Sequence, residues 1–486
     1  MSVSRCWDQP RVIIVGAGLA GLSAAQKFKQ CDFHNFVILE ANKRPGGRVN
    51  SYWMGDAVVE LGAQWINGGS VANSIYNLAS CEGLIPDPVE RKTDNYSDET
   101  VFFTSDGRAI KPQRSEYLTF ERIKKQAKAL FSTPAGQRKG NLMHFFAVRM
   151  QQEILRYPEE WRYDAERIMC GLSNGIRSRW GEDLSNLSAG QFGSFHNLNG
   201  GLVRLPAGFL GITAPLLRNL PAENIKYNRK VDCISWGEDL VNSMGTRAVV
   251  KCCGGEQHCA DYILITISLG VLKKHMDDLF TPRLPEYKRE AINKLGYGHV
   301  TKVFLEYGLP WWAEGKASMK LAWSMDEIAE RNDWKKGISS IEEVPASKQI
   351  LVFSVGGPEA RVLESCDEND IANEFTILLR KFTGDPTIPY PCNVLKTTWS
   401  SDDKFLGSFS FNAVGSGVGH RKDLSNPLPG ICDPDPPILM FAGEATCDKY
   451  FSTAHGARMS GLREAQRILS LIHKFKGPPP IKTCSS

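Results

Sequence analysis

The sequence has no apolar run long enough to cross a bilayer. Its longest candidate, Ile263 to Leu272, is broken by Thr266, Ser268 and Gly270, whereas a spanning helix needs about 18 or more apolar residues in succession. Residues Met1 to Asp8 lack the apolar core of a secretory signal. Neither sign of charge is in excess, since the formal net charge is +4 over 486 residues, too mild a bias to point to nucleic acid. The densest basic cluster, Arg122 to Lys128, has helical spacing and reads as a solvated helix face. The 13 cysteines are odd in number and form no CxxC pair, so neither a disulfide framework nor a metal site is expected. Asn95 and Asn186 fit the glycosylation pattern, but without a secretory signal they should stay unused. The ending Thr483 to Ser486 is not a peroxisomal S-K-L address. These absences predict a cytoplasmic protein with no membrane and no nucleic-acid partner.

What is present is a dinucleotide-binding pattern. Arg11 to Val15 is a short apolar run rich in β-branched residues, followed by Gly16-Ala-Gly18-Leu-Ala-Gly21 and the helical stretch Leu22 to Phe28. Gly16 allows the turn, Gly18 lets a pyrophosphate lie against bare backbone, and Gly21 lets helix and strand approach. The phosphates then meet the free N–H groups at the helix start. A second strand, Phe36 to Leu39, ends on Glu40, nineteen residues past Gly21, where a carboxylate can accept from a ribose diol. The next stretch, Ala41 to Val49, carries Gly46, Gly47 and Arg48. Backbone and guanidinium there can close on the same pyrophosphate from the other side, a second clamp that suits permanently held FAD rather than a diffusible nicotinamide.

With 42 % hydrophobic and 23 % charged residues, the chain is ordinary globular protein with room for two or three domain-sized units. Ala57 to Leu61 has strand character, and Gly62 and Ala63 after it are small enough for a flat group to press against them. From Pro86 to Asn199 the texture changes to charged helical stretches, Tyr117 to Phe131 and Leu142 to Leu155, joined by a polar linker at Ser132 to Asn141. Strand patterns return at Ile225 to Val231, with Val231 placed near an adenine, and at Ala248 to Cys252 and Ala260 to Thr266. After Pro282 come the strands Thr301 to Tyr307 and Gln349 to Ser354 and a helix at Asp370 to Phe382. A last buried strand, Ile438 to Ala442, runs into Gly443-Glu444 and Ser452-Thr453-Ala-His-Gly456, ahead of a helix at Ser460 to Leu471. A helix start aimed at a flavin ring favours the negative charge that gathers there on reduction. The expected architecture is α/β: a Rossmann-like FAD-binding domain from residues 10–85, 200–280 and 425–475, interleaved with an α+β substrate-binding domain from 86–199 and 281–424. Residues 476–486 are expected to be a disordered tail.

Taken together, these residues resemble the flavin-dependent amine oxidases, and within them the polyamine oxidase branch that includes the animal acetylpolyamine and spermine oxidases. The resemblance spans nearly the whole chain. Its motifs are Arg11 to Gly21, Glu40 to Arg48, Glu60 to Ile66, Ile265 to Leu272, Thr301 to Glu306, Gly407 to Phe411, Gly443 to Thr446 and Ser452 to Ala457. It implies the two-domain architecture shared with p-hydroxybenzoate hydroxylase. It also implies hydride transfer from the carbon beside a neutral amine to flavin N5, imine hydrolysis to an aldehyde and a shorter amine, and reoxidation by O2 to hydrogen peroxide. The partners it implies are a small-molecule amine and O2.

Residue by residue, the resemblance places Lys302 where the family has a lysine that holds a water near N5. Gly16, Gly18, Gly21, Glu40, Arg48, Gly62, Ala63, Val231, Glu444 and Thr453 would hold FAD. Ser408 stands where the monoamine oxidases carry the cysteine bonded to flavin, so FAD should be non-covalent. Phe409 aligns with one wall of an aromatic cage and Thr453 with the other, with Trp65, Asn67 and Trp399 as further lining. Two positions depart from the polyamine pattern. Asn67 replaces a histidine or glutamate, and Gly175 falls where spermine oxidase has an acid, with Glu182 and Asp183 as candidate replacements nearby. A string of cations needs such acceptors to fix its register. Two other readings therefore stand beside an amine oxidase of polyamine type: a flavin-loaded binding protein without turnover, and a methyl-lysine demethylase. The latter lacks, in this sequence, a long helical insertion or a helical domain ahead of Arg11.

Overall fold

The computed structural model describes residues 10–89, 91–92, 100–312, 318–329, 333–430 and 435–475. The expected tail at 476–486 and the Asn95 sequon lie outside them. The centre is a five-stranded sheet in the order Ile225–Lys226, Phe36–Leu39, Val12–Val15, Tyr262–Ile265, Leu439–Phe441, parallel throughout. Continuous apolar runs such as Val12 to Val15 suit a parallel sheet buried on both faces. Alternate residues of two neighbouring strands feed two cores: Val12, Ile14 and Ile38 point into one, and Ile13, Val15, Val37 and Leu39 into the other. The first core is closed by helices Leu19–Gln30 and Ala454–Phe475. They lie so close that a Cβ on Gly461 would sit 2.0 Å from the Ala20 carbonyl oxygen. The second core is closed by helix Leu269–Leu279 and a sheet of Gln257–Ala260, Ala248–Cys252, Val231–Trp236 and Phe280–Thr281.

A seven-stranded mixed sheet forms the other half, in the order Asn393–Lys396, Val300–Glu306, Ile350–Gly356, Ile338–Glu343, Ser318–Ala322, Val101–Thr104, Ala109–Ile110. It packs on helix Glu368–Thr383 through Phe375, Leu378, Leu379 and Phe382. Helices Arg114–Ala129, Leu142–Ile154 and Glu159–Trp180 share a separate core. Three local expectations need correction. The strand expected at Ile225 to Val231 is broken at Asn228, whose φ is +55°, so Ile225–Lys226 joins the central sheet and Val231 opens another. The linker expected at Ser132 to Asn141 holds a helical turn, Pro134–Gln137, capped by the Thr133 hydroxyl. The last helix starts at Ala454, six residues before the expected Ser460. No helix among the described residues is long and apolar enough to cross a membrane.

Candidate active site

The two glycine-rich stretches meet along one wall of a cavity of about 810 Å³ that runs between the two halves. Its floor is the end of the central sheet. The glycine turn and the Gly46–Arg48 segment are tied together, with Gly46 N–H donating to Ala17 O at 2.8 Å and Gly18 bridging Gly46. Gly16 has φ +108°, and a Cβ there would meet Thr266 Oγ1 at 2.7 Å. Gly21 serves packing, because a Cβ would fall 2.0 Å from Gly16 O. At Gly18 a Cβ would meet nothing within 4 Å, although the residue lies in the cavity wall at the start of helix Leu19–Gln30. Bare backbone, an open space in front of it and unpaired N–H groups at a helix start make a cradle for phosphate. Glu40 is buried beside it, accepting from Ala17 N–H at 2.6 Å and Asn42 N–H at 2.7 Å. Burial pushes its carboxyl pKa up despite those bonds. Val231 also lines the cavity. These residues fit a dinucleotide lying from Glu40 across Gly18 toward Lys302.

Lys302 lies on strand Val300–Glu306 with its neighbours Val303, Phe304 and Leu305 buried. Its Nζ donates to Glu60 O and Gly62 O, both at 2.8 Å, and more loosely to Gln64 Oε1 at 3.4 Å. Burial lowers its pKa to about 8, opposed by the nearby Glu60 charge. Glu60 is itself pushed up to about 7 by burial, against its bonds from Phe209 N–H and Ser51 Oγ. Lys302 is thus held by carbonyl dipoles at the cavity wall and changes charge near neutral pH.

Several more of the expected residues line the cavity and also brace it. Gly62 and Ala63 are in its wall, but the absent Cβ of Gly62 makes room for Arg48 O, 1.8 Å from where it would stand. Arg48 Nη1 donates to Ser408 O at 2.7 Å and Glu444 Oε1 at 3.1 Å. The Glu444 carboxylate also accepts from Ser410 Oγ at 2.7 Å and Ser452 N–H at 2.8 Å; it braces Arg48 and the Ser452 turn. Thr453 caps the last helix, its Oγ1 accepting from Gly456 N–H at 3.0 Å and donating to Tyr450 O at 2.6 Å. Ser408 is buried, accepting from Val300 N–H at 2.9 Å.

Trp65, Asn67, Phe409 and Trp399 all line the cavity, the last donating its indole N–H to Leu61 O at 2.8 Å. The expectations for the departures need correction. Gly175 faces open space away from the cavity lining. Asp183 is buried against Arg177 at 3.3 Å and accepts from Ser185, and Glu182 accepts from Asp183 N–H, so neither reaches the cavity. Sequence reasoning missed Gln64, Trp180, Phe195 and Ser354 in the lining. Trp180 stands edge-on to Phe195 at 5.4 Å and near Phe451 at 5.8 Å. The aromatic character of that stretch was its available signal.

Comparison with known proteins agrees with this geometry. A family model described as flavin containing amine oxidoreductase matches residues 19–469. The chain is 31 % identical to the human peroxisomal N(1)-acetyl-spermine/spermidine oxidase over 97 % of both chains. It is 31 % identical to protein anon-37Cs of Drosophila lebanonensis, over 95 % of this chain and 88 % of that one, and 28 % identical to polyamine oxidase 1 of rice, over 95 % and 97 %. In fold it is similar to a putrescine oxidase bound to putrescine, with TM-score 0.70 at 17 % identity over 95 % of this chain and 99 % of that one. With a buried lysine beside a phosphate cradle and a family match over most of its length, this chain belongs to the flavin-containing amine oxidoreductases.

Proposed function

We propose that this protein is an FAD-dependent oxidase of polyamine type, acting on secondary or acylated amines, with O2 as electron acceptor. The observation that carries this reading is Lys302, held by Glu60 O and Gly62 O in the wall of the same cavity that the glycine cradle lines. When bound, the flavin supplies the chemistry: it takes a hydride from the carbon beside the amine nitrogen and hands both electrons to O2. The chain's own residues orient and exclude. Trp65, Trp180, Phe195 and Phe409 present apolar surface to the substrate, and Asn67 supplies a neutral polar group. Lys302 would hold a water and move a proton, in hydride transfer, in imine hydrolysis or in the reaction with O2.

An acylated amine suits the wall around Lys302 better than a bare polyamine. Of the described acids that line the cavity, Glu40, Asp232, Asp278 and Asp403 belong to the central sheet or to segments packed on it. Glu444 is already filled by Arg48, Ser410 and Ser452. A substrate with one ammonium and a neutral amide leaves no second cation without a carboxylate. The expected kcat/KM for N1-acetylspermidine, which keeps one ammonium when its reacting secondary amine is neutral, exceeds that for spermidine by at least ~10-fold, the equivalent of one charged hydrogen bond. Anaerobic addition of each amine, with loss of the oxidised-flavin absorbance followed by peroxide release in air, tests the reading. No bleaching with any of them overturns it in favour of a flavin-loaded binding protein. FAD is held without a covalent link: acid precipitation is expected to leave the yellow colour in the supernatant, and a yellow pellet would contradict that.

A further inference from the structure

The Arg421 side chain is fully buried behind the cavity wall. It comes from the short helix Val418–Ser425, whose C-terminal end is fixed by another buried cation. Lys288 Nζ donates to the carbonyls of Asp423 at 2.8 Å, Leu424 at 3.0 Å and Asn426 at 2.6 Å. Among the described residues no carboxylate bonds the Arg421 guanidinium directly. Its Nε donates to Asn412 Oδ1 at 2.9 Å, and its Nη1 to Ser410 Oγ at 2.8 Å and Ala445 O at 3.1 Å. Its plane lies over the Phe451 ring, 3.7 Å from the centroid. Nη2 has no hydrogen-bond partner among the described residues. A buried charge left this way is costly, and its field is poorly screened.

The hydroxyl of Ser410 shows where that field goes. It has one proton, and because it accepts from Arg421 it must donate to Glu444 Oε2, 2.7 Å away. Every partner of the Glu444 carboxylate among the described residues is then a donor: Arg48 Nη1, Ser410 Oγ, Ser410 N–H and Ser452 N–H. Within these bonds the set reads Arg421, Glu444, Arg48, two cations to one anion beside Ser408, Phe409 and Ser452 of the cavity wall, with the Asp448 charge also acting on Arg421 from outside the set.

We propose that Arg421 is a positioning residue for the cofactor: it locks Ser410 onto Glu444, keeps Arg48 aimed along the cavity wall, and contributes positive charge there that makes the flavin easier to reduce. The inference rests on the flavin reading of the cavity. Charge in a poorly screened interior acts over longer range than at the surface, and reduction adds negative charge to the ring.

The test uses the FAD-loaded full chain. The midpoint potential of the bound flavin is measured by dye-coupled titration, and FAD affinity by fluorescence on adding FAD to the stripped protein. Arg421→Met is expected to lower the potential and to weaken FAD binding by at least ~10-fold, as for loss of a charged hydrogen bond. Arg421→Lys is expected to restore most of the potential. Ser410→Ala keeps the Arg421 charge but cuts the relay, so it should weaken FAD binding while retaining most of the potential. A loaded Met variant with unchanged potential overturns the proposal. Should that variant not fold, Ser410→Ala with unchanged FAD affinity overturns it. A wild-type protein that takes up no flavin defeats the flavin reading itself, an outcome distinct from either.

Discussion

Replacing Lys302 by Met is expected to leave the protein yellow and to slow turnover by at least ~10-fold, the low end for loss of a positioned proton-transfer group. The side chains are similar in length, so the strand Val300–Glu306 and its pairing with Ile350–Gly356 should survive. What disappears is the ammonium held by Glu60 O and Gly62 O. The pH dependence carries the sharper signature. With its pKa lowered to about 8 by burial, Lys302 is protonated at neutral pH and becomes a proton acceptor as pH rises through that value. The rate in the wild type should therefore climb through an inflection near pH 8. The substrate amine must also lose its proton before hydride can leave, which adds a second inflection common to both proteins. The one missing from Lys302→Met, seen by stopped-flow measurement of each half-reaction, belongs to the lysine. Identical profiles and rates in the two proteins would remove Lys302 from the mechanism.

The second large effect separates two glycines three residues apart. Gly18→Val is expected to give a folded, colourless protein. The backbone at Gly18 has φ −75°, which any residue adopts, and a Cβ would meet no protein atom within 4 Å, so the side chain would occupy the phosphate cradle alone. Gly21→Ala should do the reverse. Its Cβ would fall 2.0 Å from Gly16 O and 3.1 Å from Ile14 Cγ2, forcing helix Leu19–Gln30 off the sheet at a cost of about 1–3 kcal/mol in stability. Chemical denaturation and FAD titration of both variants give the check. A Gly18→Val protein that binds FAD as tightly as wild type would place the pyrophosphate elsewhere.

The parts of this molecule legible in the sequence are those that backbone geometry dictates. Strand Val12–Val15, the turn after it and Glu40 are fixed by spacing, because a glycine is needed wherever chains approach closely or φ turns positive, and so the α/β class could be read directly. The resemblance around Lys302 pointed to a residue that its strand alone left ambiguous, since alternation does not say which face a cavity will open on. What could not be read depends on partners far along the chain. Asp183 sits close in sequence to Gly175, yet Arg177 holds it away from the cavity. Thr453 looks like a cage position, and its hydroxyl is used as a helix cap. Helix Glu159–Trp180 was obscured because its inward face carries Arg167, Asn174 and Arg177, each bonded across the fold; Arg167 Nη1, for one, donates to Ala322 O at 2.9 Å. Arg421 gives no signal in sequence, where its neighbours His420, Lys422 and Asp423 suggest a solvated turn.

The order of strands in the central sheet also governs when this protein can become complete during synthesis. Leu439–Phe441 pairs with Tyr262–Ile265, which pairs in turn with Val12–Val15, so a nascent chain carries its first glycine turn for more than 400 residues before the opposite wall of the same chamber leaves the ribosome. Until then the Tyr262–Ile265 edge is open to other chains. Prosthetic-group capture is consequently expected to be a late step, and cells short of riboflavin should accumulate this polypeptide as a nearly finished, protease-sensitive form.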